Sequence, residues 1–300
     1  MEKLKIIPPD AQIYAQIKAS WDKIAKPLDG LGQFETMFAQ IGAITGSSSL
    51  SIEKKVILTM CADNGIVAEG VSQSGQKVTA VVAGFMGQQA SSVGKMARRA
   101  GVDVIPVDIG INTKETLPGV RDCKVMQGTR DFLQEPAMTE EEALQALSVG
   151  IDLVRECKDK GYQLIGTGEM GIGNTTTSSM LVAALTGRTA EEVTGRGAGL
   201  NDAGLLRKQQ VIAQALEKYE KEYCLRDGIR RSGYRGNGRC MHRRSTVSCA
   251  GRSGWADLIG RGTGGGADRA GGAGICSAEP SEQGTRGKMD RGGIETSSGY

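Results

Sequence analysis

The 300-residue sequence contains a single histidine, His242, and it lies in the C-terminal quarter of the chain. A histidine general base is therefore not expected in the rest of the protein. Seven cysteines occur, an odd number, and no two have the Cys-x-x-Cys spacing, which favours free thiols in a reducing compartment. Cys240, His242 and Cys249 could be read as a partial metal site, but their spacing fits no common zinc pattern, so no metal is expected.

Long apolar runs are also absent. No apolar segment of the kind a secretory signal needs follows residues 1–5, and no run approaches the length of a membrane span. We therefore expect a cytoplasmic protein without a membrane partner. No glycine-rich run ends in Gly-Lys-Ser or Gly-Lys-Thr, which excludes a P-loop nucleotide site.

Aliphatic residues become scarce after residue 225. The last 75 residues hold only six Leu, Ile, Val or Phe but 19 of the 44 glycines, with 13 Lys+Arg against 7 Asp+Glu. Residues 1–225 hold 24 Lys+Arg against 27 Asp+Glu, so the net charge of +3 comes from the tail and says nothing about a nucleic-acid surface on the rest. Such a tail buries too little apolar area to offset its ordering entropy, and we expect it to be disordered.

Apolar runs alternate with helical periodicities in the remaining sequence. The predicted strands cover residues 54–62, 102–110 and 162–165, and the predicted helices cover residues 13–24, 33–44, 76–100, 139–160, 178–186 and 203–223. This order favours a parallel sheet wrapped by helices. We therefore predict an N-terminal helical segment (1–50), a Rossmann-like α/β domain (51–225) and a Gly/Arg-rich tail (226–300).

The segment 166–177 combines four glycines with three consecutive threonines between a predicted strand and a predicted helix. Glycines allow a sharp turn and close approach of a ligand, and the first N–H groups of the helix are suited to a phosphate. Glu169, inside this predicted turn, would face the reacting end of a substrate. The alternatives are a plain capped βα turn and a dinucleotide site, because residues 166–171 fit Gly-x-Gly-x-x-Gly with Glu191 or Glu192 as the ribose acid.

Other candidate positions follow the first two strands and open the last helix. The loop 63–75 carries Asp63, Glu69 and Ser72 at the strand end where open α/β sheets bind ligands; ordinary turn chemistry is the alternative. Asp108 is predicted to be a turn cap or a site carboxylate. Arg207 and Lys208 are predicted to be either a solvated basic pair or cations near an anion site.

Five segments, in order and at fitting intervals, resemble nicotinate-nucleotide:dimethylbenzimidazole phosphoribosyltransferases. They are Lys26-Pro27-Leu28-Asp29-Gly30-Leu31-Gly32, Asp63-Asn64-Gly65 with Glu69-Gly70-Val71-Ser72, Val107-Asp108-Ile109-Gly110, Gly168-Glu169-Met170-Gly171-Ile172-Gly173-Asn174-Thr175-Thr176, and Gly195-Arg196-Gly197-Ala198-Gly199-Leu200-Asn201-Asp202. The resemblance covers residues 1–223. The fourth segment is the most specific of them.

The resemblance implies a homodimeric Rossmann-like enzyme that needs no metal or cofactor and binds no nucleic acid. It would transfer the phosphoribosyl group of nicotinate mononucleotide to a benzimidazole nitrogen with inversion, giving α-ribazole phosphate and nicotinate. Glu169 and Lys208 would serve catalysis, Glu169 beside the reacting centre and Lys208 near the nucleotide. The phosphate would lie on Gly171, Ile172, Gly173, Asn174, Thr175 and Thr176, and the benzimidazole beside Asp63, Glu69 and Ser72.

The sequence departs from this family in its C-terminal quarter. Family members carry a Gly-Glu-Gly-Thr-Gly-Ala motif whose glutamate is taken as the general base, whereas Gly260-Arg261-Gly262-Thr263-Gly264 has arginine in its place and comes too early. We predict that a frameshift has replaced the C-terminal part of the family fold. Alternatives are a catalytically silent nucleotide-binding or partner-binding remnant with a genuine basic tail, and a nicotinamide-dinucleotide oxidoreductase.

Overall fold

The computed structural model describes residues 7–223, and the tail predicted for residues 226–300 lies outside the described residues. Four parallel strands form one sheet in the order β3-β2-β1-β4. The strands are β1 (Lys55–Ala62), β2 (Val102–Gly110), β3 (Arg121–Asp122) and β4 (Leu164–Met170). The parallel sheet predicted from the alternating pattern is thus confirmed, with one short strand, β3, that the sequence did not indicate.

Within residues 7–223, eight α-helices surround or precede this sheet. They are α1 (Ala11–Asp22), α2 (Gln33–Thr45), α3 (Lys77–Gly87), α4 (Ser92–Arg99), α5 (Glu140–Asp159), α6 (Asn174–Thr186), α7 (Ala190–Val193) and α8 (Asp202–Tyr223), with a 3₁₀ helix at Gly65–Glu69. Thr139 and Glu142 form the expected capping box of α5. At the start of α8, the Gly204 N–H donates to Asn201 Oδ1 at 2.8 Å.

The prediction that residues 166–170 form a glycine turn is wrong, because they belong to strand β4. Gly168 pairs with Thr59 and Glu169 with Met60 in the parallel ladder to β1. A Cβ on Gly168 would lie 3.2 Å from Thr59 Oγ1, so this glycine gives room to a side chain of the neighbouring strand. The first two glycines of the dinucleotide pattern therefore make no turn, which removes the geometric basis of that hypothesis.

The single helix predicted over residues 76–100 is also wrong. The chain leaves helical geometry at Gln89, whose φ is 55°, and Ser91 restarts it by accepting the Gly94 N–H at 3.2 Å. An alanine Cβ at Gly87 would overlap the Pro118 carbonyl oxygen, so α3 ends against a distant turn.

The sheet is covered on both faces. On one face, Val56, Leu58 and Met60 of β1 pack against α5. On the other, Cys61 packs against Ala83 and Met86 of α3. A third cluster joins α6 and α8 to the 3₁₀ helix through Met180, Ile212 and Ile66, and it fixes the position of the helices that follow β4.

The N-terminal helical segment is a hairpin of α1 and α2. Trp21 makes edge contacts with Phe34 and Phe38, with ring centroids 6.2 and 5.9 Å apart. Glu35 is enclosed and forms an ion pair with Lys26 at 2.8 Å. Of the helices in the described residues, none has the length and apolar character needed to cross a bilayer.

Candidate active site

The carboxyl ends of β1, β2 and β4 bring three acidic residues to one edge of the sheet. Asp63 follows β1, Asp108 lies near the end of β2, and Glu169 lies near the end of β4. Burial first of all, and then the charges of Asp108, Glu169 and Asp63, raise the pKa of the Cys61 thiol to about 12. In the parallel ladders Cys61 of β1 pairs with Asp108 of β2 and Met60 pairs with Glu169 of β4, so the three acidic residues lie at the sheet edge where open α/β sheets bind ligands.

Asp63 is 1% exposed and joins β1 to the segment after β2. Its Oδ2 accepts the Asn112 N–H at 2.8 Å, and its own N–H donates to the Gly110 carbonyl at 3.0 Å. Burial raises the pKa of Asp63, whereas the hydrogen bond from the Asn112 N–H opposes the rise. The residue thus fixes the segment 110–112 against the end of β1, and we call this the floor of the site.

Asp108 is the turn cap that the sequence offered as one alternative. Its Oδ1 accepts the N–H groups of Gly110 and Ile111 at 3.1 and 2.8 Å. Its Oδ2 pairs with Lys124 Nζ at 2.9 Å. Because every one of these bonds is made within the protein, Asp108 stabilises the loop after β2.

Glu169 is half-buried on β4, immediately before the bend that leads into α6. The bend depends on two glycines: Gly173 has a φ of 89°, and an alanine Cβ at Gly171 would overlap the Ala62 carbonyl oxygen. The end of β1 therefore lies directly against the bend. Glu169 is held beside the N-terminus of α6 by a regular strand, which fixes its backbone more firmly than the predicted turn would.

Only some N–H groups of the predicted phosphate segment can donate to a ligand, because the others already donate within the protein. Ile172 donates to Thr79 Oγ1 at 3.1 Å, Asn174 to the Gly171 carbonyl at 3.2 Å and Thr176 to the Gly173 carbonyl at 3.0 Å. Within the described part of the chain, the N–H groups of Gly173 and Thr175 have no such bond. These two lie at the start of α6, where helical N–H groups point out of the helix.

Lys208 reaches this helix start from α8. Its Nζ donates to Thr175 Oγ1 at 2.9 Å and to the Gly195 carbonyl at 3.1 Å, and the residue is 1% exposed. Gly197 lies close by with a φ of 57°, and a Cβ there would stand 2.9 Å from Thr175 Oγ1. The solvated-pair interpretation is therefore wrong for Lys208, which is buried against Thr175 in the predicted phosphate segment.

Arg207 and Glu69 connect α8 to the loop that follows β1. Arg207 Nη2 pairs with Glu69 Oε2 at 2.6 Å, and Arg207 Nε donates to the Glu69 carbonyl at 2.9 Å. Gln134 Nε2 donates to Glu69 Oε1 at 2.9 Å. Ser72 is half-buried, and its Oγ accepts the Ser74 N–H at 3.2 Å within a local turn. Glu69 thus holds the loop in place, and Ser72 shapes it.

The sequence did not predict a site role for three residues that the structure places there: Asn64, Thr79 and Gln134. Asn64 is 3% exposed; its Nδ2 donates to the Ile172 carbonyl at 3.2 Å and its Oδ1 accepts the Thr177 hydroxyl at 2.9 Å. Its position beside Asp63 was a signal for Asn64, whereas nothing in the local pattern distinguishes Thr79 or Gln134. No group of three or more His, Cys, Asp or Glu able to hold a metal occurs in residues 7–223.

Comparison with known proteins identifies the family. A sequence model of the family described as phosphoribosyltransferase matches residues 6–231. The chain belongs to the nicotinate-nucleotide–dimethylbenzimidazole phosphoribosyltransferase family. The family predicted from the sequence motifs is therefore confirmed, and with it the class of glycosyl-transferring enzymes to which its members belong.

Curated relatives and a solved structure match the same part of the chain. The phosphoribosyltransferase of this name from Geotalea uraniireducens (strain Rf4) is 44% identical over 213 residues, which cover 71% of this chain and 60% of that protein. The one from Clostridium acetobutylicum is 41% identical over 215 residues, which cover 71% and 61%. The crystal structure of CobT from Thermus thermophilus matches with a TM-score of 0.65 at 36% identity, covering 69% of this chain and 62% of that one.

These matches confirm the predicted α/β fold and show how much of the relatives' length it covers. The chain spans about 60% of the length of the curated relatives it matches. The match to the family model, over residues 6–231, includes every described site residue. The sheet end, the α6 N-terminus and the buried Lys208 therefore all lie in the part shared with the family.

Proposed function

We propose that this site transfers the phosphoribosyl group of nicotinate mononucleotide to 5,6-dimethylbenzimidazole, giving α-ribazole 5′-phosphate and nicotinate, a step in making the lower ligand of cobalamin. The names of the relatives support the substrates. The observation that carries the proposal is the buried Lys208 ammonium on Thr175 Oγ1 at the start of α6. A cation next to outward-pointing helical N–H groups is suited to a phosphate monoester.

In this proposal the phosphate is bound along residues 171–176. The N–H groups of Gly173 and Thr175 donate to its oxygens, and Lys208 supplies positive charge from behind Thr175. Ile172, Asn174 and Thr176 contribute by shape, since their N–H groups already donate within the protein. The ribose then extends toward Glu169, which precedes the bend on β4.

Glu169 is proposed to act on the reacting carbon. The bond from the anomeric carbon to the pyridinium nitrogen breaks, and its electron pair leaves with nicotinate, while a benzimidazole nitrogen forms the new bond on the opposite face. Positive charge develops on the ribose as the first bond lengthens, and a nearby carboxylate stabilises it. The pyridinium is a good leaving group, so positioning supplies much of the remaining rate enhancement.

The benzimidazole is proposed to lie against the loop 63–75. Asp63 and Glu69 order this loop through Asn112 and Arg207, and Ser72 shapes its outer turn. The N–H proton of the benzimidazole must leave as the product forms, and this is the task of the glutamate in the family motif that the sequence lacks. We therefore expect turnover to be slow. We also propose that the protein is a cytoplasmic homodimer.

A second function, binding without turnover, is favoured by one specific observation. The family match ends at residue 231, whereas the chain continues to residue 300, and the segment with the general base is not in the matched part. Lys208 and the α6 N-terminus would still bind nucleotide in such a protein.

One experiment separates the two functions. The full chain is incubated with nicotinate mononucleotide and dimethylbenzimidazole, while release of nicotinate and formation of α-ribazole phosphate are followed by liquid chromatography. Turnover supports the transferase. Nucleotide binding in calorimetry without product supports the silent binder, and failure to bind nucleotide would refute both.

We propose further that residues after about 225 are translated in a shifted frame. The rise in glycine and the loss of aliphatic residues at this point support the proposal. Translating the underlying gene in its other frames tests it. The family's C-terminal half is expected in one of them, and its absence from all of them would refute the frameshift.

A further inference from the structure

The backbone of Ile172, in the bend before α6, is held at both its N–H and its carbonyl, which belong to the two peptide groups on either side of its Cα. Its N–H donates to Thr79 Oγ1 at 3.1 Å, and its carbonyl accepts Asn64 Nδ2 at 3.2 Å. Thr79 and Asn64 come from two elements that follow β1 and are nearly enclosed, at 0% and 3% exposure. Both side chains that hold this backbone therefore lie outside the bend itself, and the peptide group that Asn64 holds is the one that carries the Gly173 N–H.

Asn64 uses both atoms of its side-chain amide on this region. While Nδ2 donates to the Ile172 carbonyl, Oδ1 accepts the Thr177 hydroxyl at 2.9 Å. Its side chain also limits the bend sterically, because a Cβ on Gly173 would lie 3.1 Å from Asn64 Cβ. The amide thus connects the bend to the first turn of α6, and the two N–H groups assigned to the phosphate, those of Gly173 and Thr175, lie between its contacts.

Asn64 also belongs to the loop assigned to the benzimidazole. Its carbonyl accepts Gln76 Nε2 at 3.0 Å, and Gln76 Oε1 accepts Asn112 Nδ2 at 3.0 Å. Asn112 in turn donates its backbone N–H to Asp63. A continuous set of hydrogen bonds therefore runs from the floor of one subsite to the bend of the other.

We infer that Asn64 is a positioning residue that orients the Gly173 and Thr175 N–H groups toward a phosphate and ties that orientation to the loop 63–75. The inference rests on the proposed function, since it needs a phosphorylated ligand at the bend. An asparagine is suited to this role because one planar amide supplies a donor and an acceptor at fixed separation. Aspartate keeps the shape but replaces the donor by an oxygen that repels the Ile172 carbonyl.

The test measures preference for phosphate, which a purely structural role would leave unchanged. Dissociation constants of the full chain for nicotinate mononucleotide and for nicotinate riboside are measured by calorimetry. The phosphate preference is the dissociation constant for the riboside divided by that for the mononucleotide. Asn64→Asp is expected to lower this ratio about tenfold, the effect of one well-placed hydrogen bond, with riboside affinity nearly unchanged. Thr177→Val, which removes the hydroxyl bonded to Oδ1, is expected to lower it several-fold.

Two controls distinguish the loss of the Thr177 hydroxyl bond to Asn64 from a general loss of folding. Thr177→Ser retains the donor and should keep the parent ratio. Thr186→Val makes the same substitution at the far end of α6, where the hydroxyl donates only to the Val182 carbonyl, and should also keep it. If Asn64→Asp does not fold, the difference in phosphate preference between Thr177→Val and Thr177→Ser is sufficient to test the inference.

The outcomes distinguish this inference from the proposed function. A parent protein that prefers the mononucleotide, with Asn64→Asp and Thr177→Val showing the same preference, would overturn the positioning role while leaving the phosphate site intact. A parent protein with no preference would refute the phosphate site itself, and the role of Asn64 would fall with it.

Discussion

Replacing Gly173 by alanine would strain the bend before α6 in two separable ways. Gly173 has a φ of 89°, and a residue with a Cβ in the left-handed region costs about 1–2 kcal/mol. In addition, the new methyl group would lie 2.7 Å from Val67 Cγ2 and 3.1 Å from Asn64 Cβ. Both distances are shorter than the optimal carbon–carbon contact of about 3.5–4.0 Å, so the 3₁₀ helix or the bend must move.

Gly187, at the other end of α6, supplies the matched control. Its φ is 69°, and a Cβ there would meet no atom within 4 Å, so Gly187→Ala carries only the backbone term of about 1–2 kcal/mol. Overpacking adds about 1–3 kcal/mol, and Gly173→Ala is therefore expected to destabilise the protein by about 2–5 kcal/mol in total. The difference between the two variants isolates the contact with Asn64 and Val67.

The assay is urea unfolding of the full chain, monitored by circular dichroism, combined with calorimetry of nicotinate mononucleotide binding. Gly173→Ala should also weaken binding, because the N–H groups around it are assigned to the phosphate, whereas Gly187→Ala should not. Equal stability losses in the two variants would refute the claim that the bend is packed against the loop 63–75.

Three further predictions concern side chains that hold the site together. Lys208→Met removes the ammonium on Thr175 and should weaken mononucleotide binding by about 10–100-fold, since charge-assisted hydrogen bonds contribute about 1.5–3 kcal/mol; unchanged affinity in calorimetry would contradict the anion site. Glu69→Gln removes its ion pair with Arg207 and should cost about 1 kcal/mol while speeding limited proteolysis of the loop 63–75; equal cleavage rates would argue against the clamp. Hydrogen bonds from Arg130 first, and then from Thr139, lower the pKa of Glu142 to about 2, so Glu142→Gln should cost about 2 kcal/mol at pH 7 after allowance for partial exposure. Because this stabilisation is present above the unfolded pKa and lost as pH falls toward the folded one, the gap between parent and variant in urea melts should narrow from pH 5 to pH 3; a constant gap would contradict it.

Features that depend on neighbouring residues could be predicted from the sequence. The strands at 55–62 and 102–110 follow from continuous apolar runs. The capping box of α5 requires only Thr139 and Glu142, three positions apart. Asn201 was likewise one of two caps expected for α8. In each case the stabilising partner lies within one turn or one strand, so local chemistry decides the outcome.

Features set by distant partners could not be predicted. Residues 166–170 are rich in turn-forming glycine, yet the ladder to β1 holds them extended. The break between α3 and α4 coincides with packing of Gly87 on Pro118. The bond between Arg207 and Glu69 joins residues 138 positions apart. The partners become apparent only once the sheet order has brought the carboxyl ends of β1 and β4 side by side.

The same long-range contacts determine what each acidic residue at this sheet end can do. Asp63 and Asp108 are enclosed and accept hydrogen bonds from the loops after β2, and Glu69 is held by Arg207. Through these hydrogen bonds, the three residues fix the positions of the loop 63–75 and of the segment after β2. Glu169 differs because it lies half-buried on a strand directly before the bend, where the proposed function puts it beside the ribose. Keeping several carboxylates together costs stability through mutual repulsion and burial, and in the proposed function the sheet end that retains them would stabilise positive charge on a bound ribose.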